Sequence, residues 1–88
     1  MSEYIGLGYA AAGHDRDTLY LILREEGKDV FLADGKLRKL GSPKRKNRKH
    51  MRFLPDSRLE AVSGKLCSPL TDAALRRILA EVKAQQAN

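Results

Sequence analysis

The chain has 88 residues, a mass of 9.8 kDa and a formal net charge of +6, with 42% hydrophobic and 32% charged residues. This length supports one compact domain with an appended element and excludes multidomain enzymes. A single cysteine, Cys67, excludes an internal disulfide and a zinc site built from several cysteines, which favours a reducing cytoplasm. The longest apolar run, Leu19 to Leu23, is far shorter than the roughly 20 residues of a membrane span, so no membrane association is expected.

The first third of the chain predicts three strands. Apolar side chains alternate along Tyr4–Ala12, which is typical of a half-buried strand. The continuous apolar and β-branched segment Thr18–Leu23 predicts a strand that is buried on both faces. Arg24–Asp29 then predicts a polar loop, and Val30–Ala33 predicts the third strand.

An Asp34-Gly35 pair follows the third strand. Two-residue hairpin turns need positive φ angles, which this pair tolerates, so we expect Val30–Ala33 to pair with Lys36–Leu40. Proline has no backbone donor, and Gly41–Pro43 is therefore expected to end that strand.

A basic loop is predicted next, over residues 41–50, because Lys44–His50 contains no apolar residue. Met51–Leu54 predicts a short closing strand, and Pro55–Ser57 predicts a turn. Four or five short strands with tight turns predict a mainly β fold, a small barrel over residues 1–56.

The remaining residues predict a connector and a helix. Residues 57–70 show no clear period and are expected to be the connector. Residues 71–86 predict an amphipathic helix with Thr71 as N-cap. Its apolar stripe, which needs a surface to pack against, is Leu75, Ile78, Leu79 and Val82.

Positive charge is concentrated in one segment. Lys36 to Arg52, here called the basic segment, holds nine cations and no acid, whereas the rest of the chain has eight cations and eleven acids. Such a cluster predicts a polyanionic partner better than evenly spread charge does. A solvated charge run without function is the competing interpretation.

Three stretches together resemble the short bacterial KOW-domain RNA-binding proteins, which are relatives of eukaryotic-type large-subunit ribosomal proteins. They are GYAAAGHD at 8–15, ADGKLRKL at 33–40 and PKRKNRKH at 43–50. The most specific parts are Asp-Gly-Lys-x-Arg-Lys and Pro-Lys-x-Lys-x-x-Lys-His. The resemblance implies a five-stranded SH3-like barrel and a cytoplasmic setting. It also implies that the partner is RNA, foremost ribosomal RNA, with ribosomal proteins as further candidate partners.

Two positions depart from the family pattern. His14 stands where the family prefers arginine, and Asp17 stands where it usually has glycine. Without that glycine the first loop could adopt a different turn, and an acid there would repel phosphate. Gly13, His14 and Arg16 are therefore only secondary candidate contacts.

The basic segment supplies the main candidate RNA contacts. Lysine and arginine neutralise phosphates, and arginine also stacks on unpaired bases. If about six phosphates are engaged, log affinity should fall with log salt at a slope near −4 to −5. The candidates are Lys36, Arg38, Lys39, Lys44, Arg45, Lys46, Asn47, Arg48, Lys49, His50 and Arg52. Of the aromatic residues, Tyr9 and Phe53 are candidate stacking platforms.

Catalytic interpretations find little support. His14 and Asp15 are adjacent in sequence, which gives no reason for them to converge on a substrate, and Cys67 has no neighbouring histidine. We therefore predict no catalytic residue, no metal site and no cofactor. The alternative function is that of a protein-interaction adaptor, in which the barrel or the C-terminal helix docks a partner protein. Nonspecific binding of double-stranded DNA is a third hypothesis.

Overall fold

The computed structural model describes residues 5–62, 64 and 70–86. Within this part of the chain, five strands form one antiparallel sheet in the order β4-β3-β2-β1-β5. The strands are β1 Gly6–Ala10, β2 Leu19–Glu26, β3 Asp29–Ala33, β4 Lys44–Asn47 and β5 Met51–Phe53. A one-turn 3₁₀ helix, Arg48–His50, joins the two edge strands β4 and β5. The helices α1 Asp56–Val62 and α2 Asp72–Gln86 follow.

The sheet is curled into a half-barrel, so the prediction of a small mainly β fold with a C-terminal helix is confirmed at that level. None of the described helices is long and apolar enough to cross a membrane.

β2 lies at the centre of the sheet and is buried on both faces, as its sequence predicted. Leu19 and Leu21 belong to one buried cluster, which includes the apolar stripe of α2. Tyr20 and Ile22 belong to a second cluster on the opposite face, with residues of β1, β3 and β5. Alternation along one strand therefore supplies both cores.

α2 covers one face of the sheet with its predicted stripe. All four stripe residues are buried, and Thr71 caps the helix by accepting a hydrogen bond from Ala74 N at 3.1 Å. Since the stripe packs on the sheet, the buried face of α2 is already occupied within this chain.

The predicted loop Arg24–Asp29 is wrong, because β2 continues to Glu26 and turns back directly. Glu26 pairs with Asp29, which leaves Gly27 and Lys28 as the turn. Gly27 has a φ of +61°, a conformation that glycine adopts without steric cost. A two-residue hairpin therefore joins β2 and β3.

The predicted Asp34-Gly35 hairpin, with Lys36–Leu40 as the partner of β3, is also wrong. β3 pairs with β2 on one side and with β4 on the other, and residues 36–40 form no strand. Asp34 Oδ1 instead accepts hydrogen bonds from the backbone N–H groups of Lys36 at 2.9 Å and Arg38 at 3.0 Å. This side-chain turn competes with a strand ladder, and the chain continues as a loop.

That loop, residues 34–43, is fixed against the start of α2. Arg76 Nη1 donates to Gly35 O at 2.6 Å, and Leu40 N donates to Asp72 Oδ1 at 2.8 Å. A Cβ on Gly35, whose φ is +80°, would lie 2.5 Å from the backbone oxygen of Asp72. Glycine is therefore required by both the turn and the close approach of the helix.

The basic loop predicted over residues 41–50 is corrected to strand β4 and the 3₁₀ helix. β4 forms without any apolar residue, because its backbone pairs with β3 from Asp29↔Asn47 to Leu32↔Lys44. Backbone hydrogen bonds to β3 stabilise this edge strand, and a hydrophobic pattern in the sequence cannot predict such bonds.

The predicted Pro55–Ser57 turn and the connector 57–70 are corrected in their first half, where α1 lies. Val62 of α1 is buried in the same cluster as α2, and Leu59 packs against that cluster. Cys67 and most of the remaining connector lie outside the described residues.

Candidate nucleic-acid interface

The first loop, between β1 and β2, holds the carboxylate of Asp15 in a largely buried position. The loop turns through Gly13, with φ +92°, and Asp17, with φ +70°. Hydrogen bonds from Arg16 N to Gly13 O and from Thr18 N to Asp15 O close the two turns. Asp15 lies between them, with only 14% of its side chain exposed.

Asp15 binds two lysines of the basic segment. Lys44 Nζ lies 2.8 Å from Asp15 Oδ2, and Lys46 Nζ lies 2.6 Å from Asp15 Oδ1. Tyr20 OH also donates to Oδ2, at 2.8 Å, and Lys46 Nζ donates to Ala12 O, also at 2.8 Å. This group of Asp15, Tyr20, Lys44 and Lys46, here called the Asp15 cluster, ties the first loop to β4.

The Asp15 cluster shifts two pKa values in opposite directions. Burial acts to raise the pKa of Asp15, but the hydrogen bonds from Lys44, Lys46 and Tyr20 outweigh it and hold that pKa well below its usual range. Burial, together with the hydrogen bond to the Asp15 carboxylate, raises the pKa of Tyr20. Asp15 is therefore ionised and Tyr20 neutral at physiological pH.

Three arginines of the basic segment form ion pairs at the surface. Arg45 lies 2.6 Å from Asp29 Oδ2, Arg52 lies 3.4 Å from Asp17 Oδ1, and Arg48 pairs with Glu25. The arginine side chains are 70%, 68% and 57% exposed, respectively. Exposed pairs of this kind contribute about 0–1 kcal/mol each, so a phosphate can replace the carboxylate at little cost.

The remaining four cations are exposed and have no acidic partner among the described residues. They are Lys36, Arg38, Lys39 and Lys49. The first three surround Leu37, which is 90% exposed at the tip of the loop 34–43. Since α2 fixes the base of this loop, its charges project from an anchored segment.

The other predicted site residues differ in their roles. Asn47 Oδ1 accepts a hydrogen bond from Lys49 N at 3.0 Å, so this side chain caps the 3₁₀ helix. His50, His14 and Arg16 are exposed. Gly13 is exposed at its turn, where an added Cβ would lie 3.6 Å from Lys46 Nζ.

Sequence reasoning missed Asp15 as the organising residue. In sequence, Asp15 stands next to His14, whereas the lysines that bind it lie 29 and 31 positions away. The one local signal is an acid in the polar loop a few residues before an apolar strand, a pattern too common to identify a site. No group of three or more potential metal ligands occurs among the described residues.

The comparisons with known proteins add no identity. No protein-family model matches this chain, and a search of curated proteins finds no match.

Proposed function

We propose that this chain is a non-enzymatic RNA-binding protein of the cytoplasm that acts on ribosomal RNA, on the ribosome or during its assembly. The observation that carries the proposal is the exposure of the basic segment. Seven of its nine cations are exposed, and they are Lys36, Arg38, Lys39, Arg45, Arg48, Lys49 and Arg52. The sequence places no acid among them between residues 36 and 52.

The chemistry of this surface fits a nucleic-acid backbone. Lysine and arginine that neutralise phosphates release condensed counterions, which favours binding at low salt. Four of the seven cations have no acidic partner in the part of the chain that the structure describes, and three exchange a weak surface pair for a phosphate. Lys44 and Lys46 do not take part directly, because they bind Asp15 and support the fold.

We also propose that the half-barrel is of the SH3-like KOW type. Strands β1 to β4 are neighbours in chain order, and β5 returns to pair with β1 through the 3₁₀ helix. Asp17 supports the same assignment, since its φ of +70° is the conformation that the family's usual glycine adopts freely. Aspartate tolerates this region better than most residues.

The adaptor hypothesis is the second candidate, and one observation favours it. Leu37 is 90% exposed, and an exposed leucine at a loop tip is a contact that a protein partner can bury. The helix contributes less to this hypothesis, because its apolar stripe is buried against the sheet. Docking through Leu37 would be nearly indifferent to salt, whereas RNA binding would not.

Cross-linking in cells followed by sequencing of the bound RNA tests the proposed target. We expect ribosomal RNA to be enriched relative to other transcripts. A K39M/K49M variant should lose most of the cross-linked RNA, whereas R77M/K83M, which removes the same charge from the outer face of α2, should retain it. Recovery of no RNA above background with the natural sequence would contradict the proposal.

A further inference from the structure

A cleft at one end of the half-barrel combines an exposed aromatic ring with cations. It is lined by Gly27, Lys28, Asn47, Arg48, Lys49 and Phe53. Phe53 is 43% exposed, whereas the other described aromatic side chains are buried or half-buried. The basic segment and the β2–β3 turn meet at this cleft.

The position of Phe53 explains why its ring remains accessible. Met51, two residues earlier, lies in the buried cluster, so the pleat directs Phe53 to the same face of β5 at the end of the strand. The residue opposite Phe53 on β1 is Gly8, which has no side chain to cover the ring. Exposure of a phenylalanine ring to water is unfavourable. Covering the ring with a flat apolar ligand therefore lowers the free energy of the complex.

The positive charges around the Phe53 ring favour a ligand that carries negative charge. The Arg48 guanidinium lies over one face of the Phe53 ring, 5.3 Å from its centre, and pairs with Glu25, so the opposite face of the ring is the one that a base would stack on. Lys28 and Lys49 line the same cleft, are exposed and have no acidic partner among the described residues. A ring for stacking with cations on its rim matches a nucleotide, in which a flat base is linked to phosphates.

The geometry further distinguishes unpaired from paired RNA. Bases within a helix stack on their neighbours, so their faces cannot contact a protein ring, whereas bases in loops, bulges and ends can be splayed out. We infer that this cleft binds an unpaired nucleotide of RNA, with the base stacked on Phe53 and adjoining phosphates on Lys28 and Lys49. This inference rests on the proposed function and adds preference for single-stranded segments.

Fluorescence anisotropy with the full chain tests the inference. The probes are a labelled single-stranded oligouridine and a blunt RNA duplex of the same length, at one salt concentration. Phe53→Leu should weaken binding of the single strand about 10-fold and change duplex binding by less than about twofold. Phe53→Tyr, which keeps a ring, should restore single-strand binding.

A matched control removes a ring elsewhere. Phe31 is half-buried, and Arg24 covers its ring at 3.9 Å, so Phe31→Leu should leave binding of both probes unchanged. Circular dichroism confirms that each variant is folded. Equal effects of Phe53→Leu on both probes, or no effect on either, would overturn the inference while RNA binding itself stands. If the natural sequence binds neither probe, the proposed function fails as well.

Discussion

Lys46 and Lys49 lie three residues apart in the basic segment, yet the fold gives them different roles. The Lys46 side chain is 10% exposed and binds Asp15, whereas Lys49 is exposed and has no acidic partner among the described residues. Both count equally in any calculation of net charge. One cluster of cations therefore contains lysines that are paired and buried in the fold and lysines that stay exposed, and their burial and ion-pair partners distinguish the two kinds.

Within β4, the pleat separates paired and exposed cations in the same way. Lys44 and Lys46 are two residues apart, so both side chains point to the same side of the edge strand, where Asp15 receives them. Arg45 lies between them, points to the other side and pairs with Asp29 at the surface. Charged side chains on an edge strand also discourage pairing with other chains.

The largest expected effect is on stability. In K44M/K46M, Asp15 keeps a largely buried charge with no cation beside it, so we expect the free energy of unfolding to fall by about 3 kcal/mol. Urea denaturation followed by circular dichroism measures this change. The same substitutions at exposed sites, K39M/K49M, should alter the free energy by less than about 0.5 kcal/mol.

A third substitution separates lost charge pairing from lost packing. Adding D15N to K44M/K46M removes the unpaired charge, and we expect it to recover part of the lost stability. If K44M/K46M unfolds at the same urea concentration as the natural sequence, the structural role of the Asp15 cluster is wrong.

The second effect is on RNA affinity. K39M/K49M removes two exposed cations, and each lost phosphate contact should weaken binding several-fold at physiological salt, giving about a 30-fold loss together. Filter binding with a ribosomal RNA fragment measures this loss. R77M/K83M has the same net charge and should bind within about threefold of the natural sequence. Equal losses in the two variants would mean that only total charge matters.

The third effect is a loss of folding stability at low pH. Because the pKa of Asp15 is lowered in the folded protein, its ionised form stabilises the fold at pH values above about 3.9, the ordinary carboxyl pKa. That stabilisation is lost progressively as the pH falls below this value towards the lowered pKa. Urea denaturation between neutral pH and pH about 3 should show a steeper loss for the natural sequence than for D15N. Parallel profiles would contradict the assignment.

The smallest effect is at Asp17. Its φ of +70° is strained for a residue with a Cβ, and its pair with Arg52 is exposed on both sides. We expect Asp17→Gly to raise the free energy of unfolding by about 0.5–1 kcal/mol, because glycine adopts this conformation without strain. Thermal denaturation checks it, with Asp17→Ala, which should destabilise, as the control.

Hydrophobic pattern predicted the parts of the fold that depend on apolar burial. The two buried faces of β2 and the stripe of α2 follow from the spacing of their side chains. β4 could not be predicted in this way, since its residues are all polar and its backbone pairing with β3 stabilises it. α1 is too short, at 7 residues, to show a helical period clearly.

The sequence shows where the basic segment lies but not what each of its side chains contacts. The clustering of lysine and arginine along the sequence located the basic segment. The partners Asp15, Asp29 and Glu25 come from elsewhere in the sequence and meet it only through the sheet. The Asp34 turn shows a related limit, since a carboxylate that binds local N–H groups looks in sequence like a hairpin signal.

The most direct test of the account is the salt dependence of RNA binding. For about four to six phosphate contacts, the logarithm of affinity should fall with the logarithm of salt concentration at a slope of roughly −3 to −5. K39M/K49M should reduce the magnitude of that slope by roughly 1.5, and R77M/K83M should leave it unchanged. A slope near zero for the natural sequence, or the same slope in K39M/K49M, would contradict RNA binding through these exposed cations.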